Sequence, residues 1–120
     1  EWNRGTEGKL GYGIVGAVVG ATYPKEIKKL RKIMPRSIFL LPGYGAQGGS
    51  AKDLAFAFDK KGMGAIVNSS RGIIFSYRSQ PYKRRFSPKR FYLAAREAVI
   101  DMRKDITAEL KTGDWKKAAF

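Results

Sequence analysis

Residues 37–59 read SIFLLPGYGAQGGSAKDLAFAFD and contain a strand, a loop and a helix in succession. The apolar run at 37–41 has the length of a strand, and the loop PGYGAQGG at 42–49 carries four glycines. Ser50 then stands three residues before Asp53, which is the spacing of a capping box at the start of a helix over 50–59. This stretch therefore predicts one βα unit.

The same order of elements is repeated on both sides of this unit. Apolar runs at 13–20 and 64–70 predict two more strands, and helical periodicity predicts helices over 24–34 and 91–110. The apolar residues of each run are continuous, which is typical of parallel strands that are buried on both faces. Right-handed crossovers would place all the helices on one face of the sheet. Because three units complete neither a doubly wound sheet nor a (β/α)8 barrel, we expect the chain to be part of a larger fold.

The composition limits the chemistry that the chain can perform. Its 120 residues include no Cys and no His, which excludes disulfides, thiolate nucleophiles and Cys/His zinc sites. No stretch approaches the roughly 18 consecutive apolar residues of a membrane span. The amino-terminal residues also lack the charged and then apolar pattern of a signal peptide. We therefore expect a cytoplasmic protein without a membrane segment.

The net charge of +14 favours a polyanionic partner or a phosphorylated ligand. Two segments, 25–36 and 76–90, each contain six of the 24 basic residues. The bases of 25–36 alternate with an apolar helical face, so we expect them to be solvated. Segment 76–90 has no acidic residue, two prolines and no helical or strand period, so we expect an exposed loop insertion.

Two candidate ligand-binding segments follow neighbouring predicted strands. The glycines of 42–49 allow the main chain to approach a ligand closely, and the helix that begins at Ser50 directs N–H groups to the same place. The sequence NSSRG at 68–72 puts an arginine, whose forked guanidinium matches a phosphate, after the next strand. Barrels frequently build a phosphate site from the loops after strands 7 and 8. The pair therefore predicts a phosphate site.

Three segments resemble the carboxyl-terminal part of orotidine 5′-phosphate decarboxylase, in the longer bacterial subgroup sometimes called type 2. They are VVGATYPKE (18–26), FLLPGYGAQGG (39–49) and IVNSSRGIIF (66–75). The similarity runs from about Gly13 to about Leu110. It implies that residues 1–120 are the carboxyl-terminal portion of a single α/β domain, namely about strands 6–8 of a (β/α)8 TIM barrel with their helices.

The resemblance also implies an activity and partners. The family converts orotidine 5′-monophosphate to UMP and CO2 in de novo pyrimidine biosynthesis, usually as a homodimer and without a metal or organic cofactor. Its catalytic Asp-x-Lys-x-x-Asp motif has no match in this chain. The resemblance therefore places no catalytic residue here and assigns the chemistry to the amino-terminal part of the barrel, which would be a further partner.

The residues that the resemblance assigns to this chain hold the substrate. Gln47 would donate its side-chain amide to the phosphate, and Arg71 would form an ion pair with it. Pro42 and Tyr44 would line the nucleotide. The implied phosphate-binding residues are Gln47, Gly48, Ser70, Arg71 and Gly72. Of these, Gly48, Ser70 and Gly72 would contribute backbone N–H groups.

Two alternatives stay open from the residues themselves. The loop pair could bind another phosphorylated metabolite in a different phosphate-binding barrel, which UMP binding compared with sugar-phosphate binding would reveal. The chain could instead be a small basic nucleic-acid-binding protein, with Tyr77, Tyr82 and Phe86 stacking on bases. A solvated loop explains segment 76–90 more simply, so nucleic acid is the less favoured partner. RNA affinity that falls with salt and disappears when residues 83–85 are neutralised would support it.

Overall fold

The computed structural model describes residues 1–45 and 48–115, which form an α/β structure around a parallel sheet of three strands in the order β1-β2-β3. The strands are β1 (Ala17–Val18), β2 (Phe39–Pro42) and β3 (Ala65–Asn68). The helices are α1 (Pro24–Ile33), α2 (Ala51–Leu54), α3 (Ser70–Ile74), α4 (Tyr82–Arg85) and α5 (Phe91–Thr112). The repeated βα order predicted from the sequence is confirmed.

Several elements are shorter than the sequence predicts. β1 keeps two residues of the run at 13–20, with Gly16 directly before it and Gly20 two residues after it, and glycine weakens strands. β3 ends at Asn68 because Ser70 already begins α3. The helix predicted over 50–59 divides into α2 and a 3₁₀ turn at Ala55–Ala57. None of the helices in the described ranges combines the length and apolarity that a membrane crossing needs.

The core lies between one face of the sheet and the helices. Phe39 and Leu41 of β2 are fully buried on this face, where they meet Ile27 of α1 and Leu54 of α2. Ile106 of α5 packs against the same cluster. Burial of large apolar side chains contributes roughly 1.5–3 kcal/mol each to folding. The helices therefore cover one face of the sheet, as the right-handed crossovers predict.

The opposite face of the sheet is apolar and open to solvent. Val18 pairs with Leu40, which in turn pairs with Ile66, so the three side chains form a row across the strands. Their exposed fractions are 71%, 39% and 58%. The continuous apolar runs led to the expectation of burial on both faces, and that expectation is wrong for this chain by itself, because its helices cover one face only.

Arg31 corrects the expectation that the bases of 25–36 are all solvated. Its side chain is 3% exposed and stacks on the Phe39 ring, with 3.8 Å between the guanidinium carbon and the ring centroid. Burial lowers the pKa of Arg31. Its N–H groups donate to four main-chain carbonyls at 2.8–3.1 Å, those of Met34, Ser37, Ala57 and Gly64.

Segment 76–90 is exposed along most of its length, as expected, but it is not a loop without helical structure. It contains a 3₁₀ turn at Ser76–Arg78, helix α4 and another 3₁₀ turn at Pro88–Arg90. The expectation of an irregular loop was wrong because each helical piece spans only three or four residues, too few for an apolar period to appear in the sequence. The turns lead directly into α5.

Candidate phosphate-binding site

The loop after β2 is a tight glycine turn. Gly43, Gly45 and Gly48 have φ values of 103°, 70° and 94°, a left-handed region that favours glycine. Gly49 is required for a different reason, since a Cβ there would lie 2.8 Å from the Cβ of Ala21 and 2.9 Å from the Gly43 carbonyl oxygen. The sequence therefore folds this loop directly against the segment after β1.

Main-chain hydrogen bonds close the glycine turn on itself. The Gly45 N–H donates to the Gly49 carbonyl at 2.9 Å, and the Gly48 N–H donates to the Gly45 carbonyl at 2.9 Å. The Gly48 N–H, which the resemblance assigns to the phosphate, thus already has an acceptor. Gln47 lies outside the described residues, so its assignment to the phosphate stays a prediction.

A capping box ends the loop, as its spacing predicts. The Ser50 hydroxyl accepts a hydrogen bond from the Asp53 N–H at 3.2 Å, and the Asp53 carboxylate accepts one from the Ser50 N–H at 3.3 Å. These bonds satisfy two N–H groups at the start of α2. They fix where the glycine loop joins the helix.

The glycine loop and the end of β3 are joined directly. The Ser69 hydroxyl donates to the Tyr44 carbonyl at 2.7 Å, and Ser69 is buried. A Cβ at Gly72 would lie 2.6 Å from this hydroxyl oxygen, so glycine at 72 leaves space for the bond. The two segments that the sequence places after neighbouring strands are therefore adjacent in the fold.

Arg71 lies in the first turn of α3, beside this junction. Its side chain is exposed, and among the described residues its guanidinium has no hydrogen-bond or ion-pair partner. In the same part of the chain the N–H groups of Ser70, Arg71 and Gly72 have no acceptor, whereas the Ile73 N–H donates to the Ser69 carbonyl. A free guanidinium and three free N–H donors are thus collected at one end of α3, which is a combination suited to a phosphate.

Tyr44 faces away from the open sheet face. Its ring packs against the core, and its hydroxyl donates to the Asp105 carboxylate on α5. Burial and this hydrogen bond raise the pKa of Tyr44 well above its usual value, so the hydroxyl keeps its proton at neutral pH. The place of Tyr44 beside a nucleotide stays a prediction, while Pro42 lies at the end of β2 in register with Asn68.

Asn68 is a candidate that the sequence reasoning did not single out. It ends β3, and its side-chain oxygen is buried without a hydrogen-bond partner in the described structure. An unpaired buried acceptor is costly, so a donor from a ligand or from a neighbouring element is expected there. The signal in the sequence was the first polar residue after the apolar run, three positions before Arg71.

Aromatic residues of segment 76–90 contact other residues of the chain. The Tyr82 hydroxyl donates to Asp101 at 2.8 Å, and burial together with this bond raises the pKa of Tyr82 to about 12. The Arg85 guanidinium lies 5.2 Å from the Phe86 ring centroid and 3.5 Å from the Glu97 carboxylate. Tyr82 and Phe86 thus already have partners within the chain, and nucleic acid stays the less favoured partner.

Comparisons with known proteins agree on one family. The chain is 47% identical over 106 residues to orotidine 5′-phosphate decarboxylase of Rhodopirellula baltica, covering 88% of this chain and 35% of that protein. It is 49% identical over 96 residues to the decarboxylase of Caldicellulosiruptor bescii, covering 80% of this chain and 31% of that protein. No protein-family model matches. The resemblance to the carboxyl-terminal portion of these decarboxylases is confirmed.

A solved structure has the same fold. UMP synthase from Leishmania donovani superposes on this chain with a TM-score of 0.56 and 34% sequence identity, covering 80% of this chain and 18% of the other. The α/β architecture is that of the carboxyl-terminal part of a (β/α)8 barrel. The chain spans about a third of the length of the curated relatives it matches.

Proposed function

Because this chain is similar over most of its length to the carboxyl-terminal part of orotidine 5′-phosphate decarboxylases, we propose that it supplies the substrate-phosphate site of such an enzyme. The enzyme would convert orotidine 5′-monophosphate to UMP and CO2 in pyrimidine biosynthesis. The observation that carries the proposal is the guanidinium of Arg71 together with three N–H groups beside the glycine loop, none of which has a partner among residues 1–45 and 48–115.

The phosphate would lie between the glycine loop and the first turn of α3. The Arg71 guanidinium would bind two phosphate oxygens through its fork, and the N–H groups of Ser70 and Gly72 would donate to the remaining negative charge. Gln47 would add its side-chain amide from the glycine loop. Gly48 would contribute the left-handed turn that brings the loop close, since its N–H is engaged by Gly45. The site uses no metal and no organic cofactor.

The nucleotide would extend from the phosphate across the end of the sheet. Pro42 would line it from β2, and Tyr44 would take part through its main chain, because its side chain is turned to α5. Binding a non-reacting phosphate can position the reacting base and lower the barrier of the chemical step. The catalytic residues would come from the remainder of the barrel.

The open apolar row of Val18, Leu40 and Ile66 supports a barrel completed by further strands. In a closed barrel this face of the sheet points inward and is filled by side chains in layers. Packing the row against other strands would remove three large apolar side chains from water. A homodimer, which the resemblance implies, and a cytoplasmic location, which the sequence pattern led us to expect, belong to the same proposal.

The test is made on the whole gene product that contains this sequence. Decarboxylation is followed by the loss of orotidylate absorbance, and binding of UMP, uridine and ribose 5-phosphate is measured by titration calorimetry. We expect turnover of orotidine 5′-monophosphate and a clear preference for UMP over both fragments. Absence of turnover with tighter binding of ribose 5-phosphate than of UMP would point instead to a different phosphorylated metabolite.

A further inference from the structure

Tyr44 is held at both ends. Its carbonyl accepts the Ser69 hydroxyl at 2.7 Å, and its own hydroxyl donates to Asp105, 61 positions further along the chain. Tyr44 directly follows Gly43. The next residue, Gly45, begins a turn that is closed by the hydrogen bond from the Gly48 N–H to the Gly45 carbonyl. Within the described part of the loop, the Tyr44 side chain therefore makes the connection to α5.

The loop needs such a connection because its own side chains offer little to pack. Glycine has no Cβ, so a glycine-rich turn keeps more conformational freedom than other loops and must be restrained by its neighbours. Of the described loop residues that follow β2, namely 43–45 and 48–49, Tyr44 is the one residue with a side chain. The anchor at the end of that side chain is the Asp105 carboxylate.

A cavity of about 350 Å³ lies behind the loop, and Asp105 contributes to its wall. The same cavity is lined by Ser69, Gly72 and Tyr82, the last of which donates its hydroxyl to Asp101. Asp101 and Asp105 are one turn apart on α5. Two tyrosine–aspartate pairs thus face one cavity, but only the Tyr44 pair is attached to the glycine loop.

We propose that Asp105 is a positioning residue for the phosphate site: through the Tyr44 hydroxyl it fixes Tyr44 and its flanking glycines to α5, while the Ser69 hydroxyl fixes the Tyr44 carbonyl to the end of β3, so that this part of the glycine loop stays beside α3. The inference rests on the proposed function, since it concerns the same phosphate. Asp105 acts on the phosphate only through the loop it restrains.

The experiment compares two variants that make the same chemical change at the two pairs. Tyr44→Phe and Tyr82→Phe each remove one hydroxyl that donates to a carboxylate of α5, and they are made in the whole gene product. UMP and uridine affinities are measured for both variants. For Tyr44→Phe we expect UMP to bind about tenfold more weakly, as for loss of one hydrogen bond to a charged group, with uridine affinity unchanged. For Tyr82→Phe we expect both affinities to stay within about twofold of the original, since its hydroxyl is not attached to the loop.

Variants of the aspartate separate positioning from a general loss of structure. Asp105→Asn keeps a carbonyl oxygen that accepts from the Tyr44 hydroxyl, and it should bind UMP nearly as well as the unaltered protein. Asp105→Ala removes the acceptor and should match Tyr44→Phe. A similar weakening of uridine and UMP in Tyr44→Phe would mean a merely structural role and would overturn the inference.

Arg71→Ala serves to separate this inference from the proposed function. If Arg71→Ala loses UMP while Tyr44→Phe and Asp105→Ala bind it normally, the positioning role is refuted and the phosphate site stands. If Arg71→Ala keeps full UMP affinity, the phosphate site itself is wrong, and the positioning role falls with it. If Arg71→Ala, Tyr44→Phe and Asp105→Ala all bind UMP more weakly while uridine affinity is unchanged, the result supports both the phosphate site and the positioning role.

Discussion

Two arginines at opposite edges of the sheet have opposite surroundings. Arg31, at the edge where β2 and β3 begin, is buried and donates to four main-chain carbonyls. Arg71, at the edge where the strands end, is exposed, and no described residue accepts a hydrogen bond from its guanidinium. The hydrogen bonds that a cation already makes therefore indicate whether it stabilises the fold or is free to bind a ligand.

The first prediction removes the buried arginine. Arg31→Ala should lower the free energy of unfolding by about 3 kcal/mol, because it leaves several buried carbonyls without donors and opens a cavity beside Phe39. Denaturant unfolding followed by circular dichroism measures the change. Arg71→Ala is the matched control and should unfold at nearly the same denaturant concentration as the unaltered protein. Equal losses of stability in the two variants would remove the contrast between the two arginines.

The second prediction concerns the exposed arginine. In the whole gene product, Arg71→Ala should lower kcat/KM for orotidine 5′-monophosphate at least roughly 100-fold, or about 2.7 kcal/mol, through loss of the phosphate ion pair. Steady-state kinetics measure the effect, and Arg84→Ala, which removes another exposed arginine, should leave kcat/KM almost unchanged. Near-normal kinetics for Arg71→Ala would remove that residue from the site.

The third prediction concerns the close packing of the glycine loop, at the edge of the sheet where Arg71 lies. Gly49→Ala should destabilise the protein by about 2 kcal/mol, because the new Cβ meets Ala21 at 2.8 Å and the Gly43 carbonyl at 2.9 Å. Gly8→Ala is the control, because a Cβ there would lie 3.9 Å from the Tyr12 carbonyl oxygen, an ordinary contact distance. Thermal unfolding of both variants tests this. Tolerance of both substitutions alike would show that the loop is not packed against the segment after β1.

The fourth prediction, with the smallest effect, concerns the pH dependence of the stability that Asp59 contributes at the edge where Arg31 lies. Burial alone would raise the pKa of Asp59, but hydrogen bonds from Tyr12 and from the N–H groups of Met63 and Lys61 outweigh it and lower that pKa. The ionised carboxylate therefore stabilises the fold above about pH 4 and loses this contribution as the pH falls through the folded-state pKa.

Asp59→Asn should accordingly be less stable than the unaltered protein by about 1 kcal/mol at pH 7. The difference should shrink when both proteins are unfolded by denaturant at pH 3. A difference that stays the same at both pH values would assign the effect to shape instead of charge.

The sequence predicts the parts of the fold that depend on local pattern. The βα order and the capping box at Ser50 follow from periodicity and spacing, and the structure contains both. The adjacency of the two candidate loops also follows, because parallel strands end at one edge of a sheet. These predictions needed no knowledge of distant contacts.

The remaining features depend on contacts between distant parts of the chain. Arg31 looks like any other base in KEIKKLRKIMPR, and only the fold brings the carbonyls of Ala57 and Gly64 to it. The Tyr44–Asp105 pair joins residues whose separation no local pattern encodes. The unpaired oxygen of Asn68 becomes evident only when its surroundings are known. Sequence patterns thus predicted a candidate site, but they did not reveal the contacts that restrain its loops.

The most direct test of the central claim is a crystal structure of the whole gene product with bound UMP. The 5′-phosphate should lie between the glycine loop and α3, with oxygens about 3 Å from the Arg71 guanidinium and from the Gly72 N–H. A phosphate bound elsewhere, with the Arg71 side chain left in solvent, would contradict the claim.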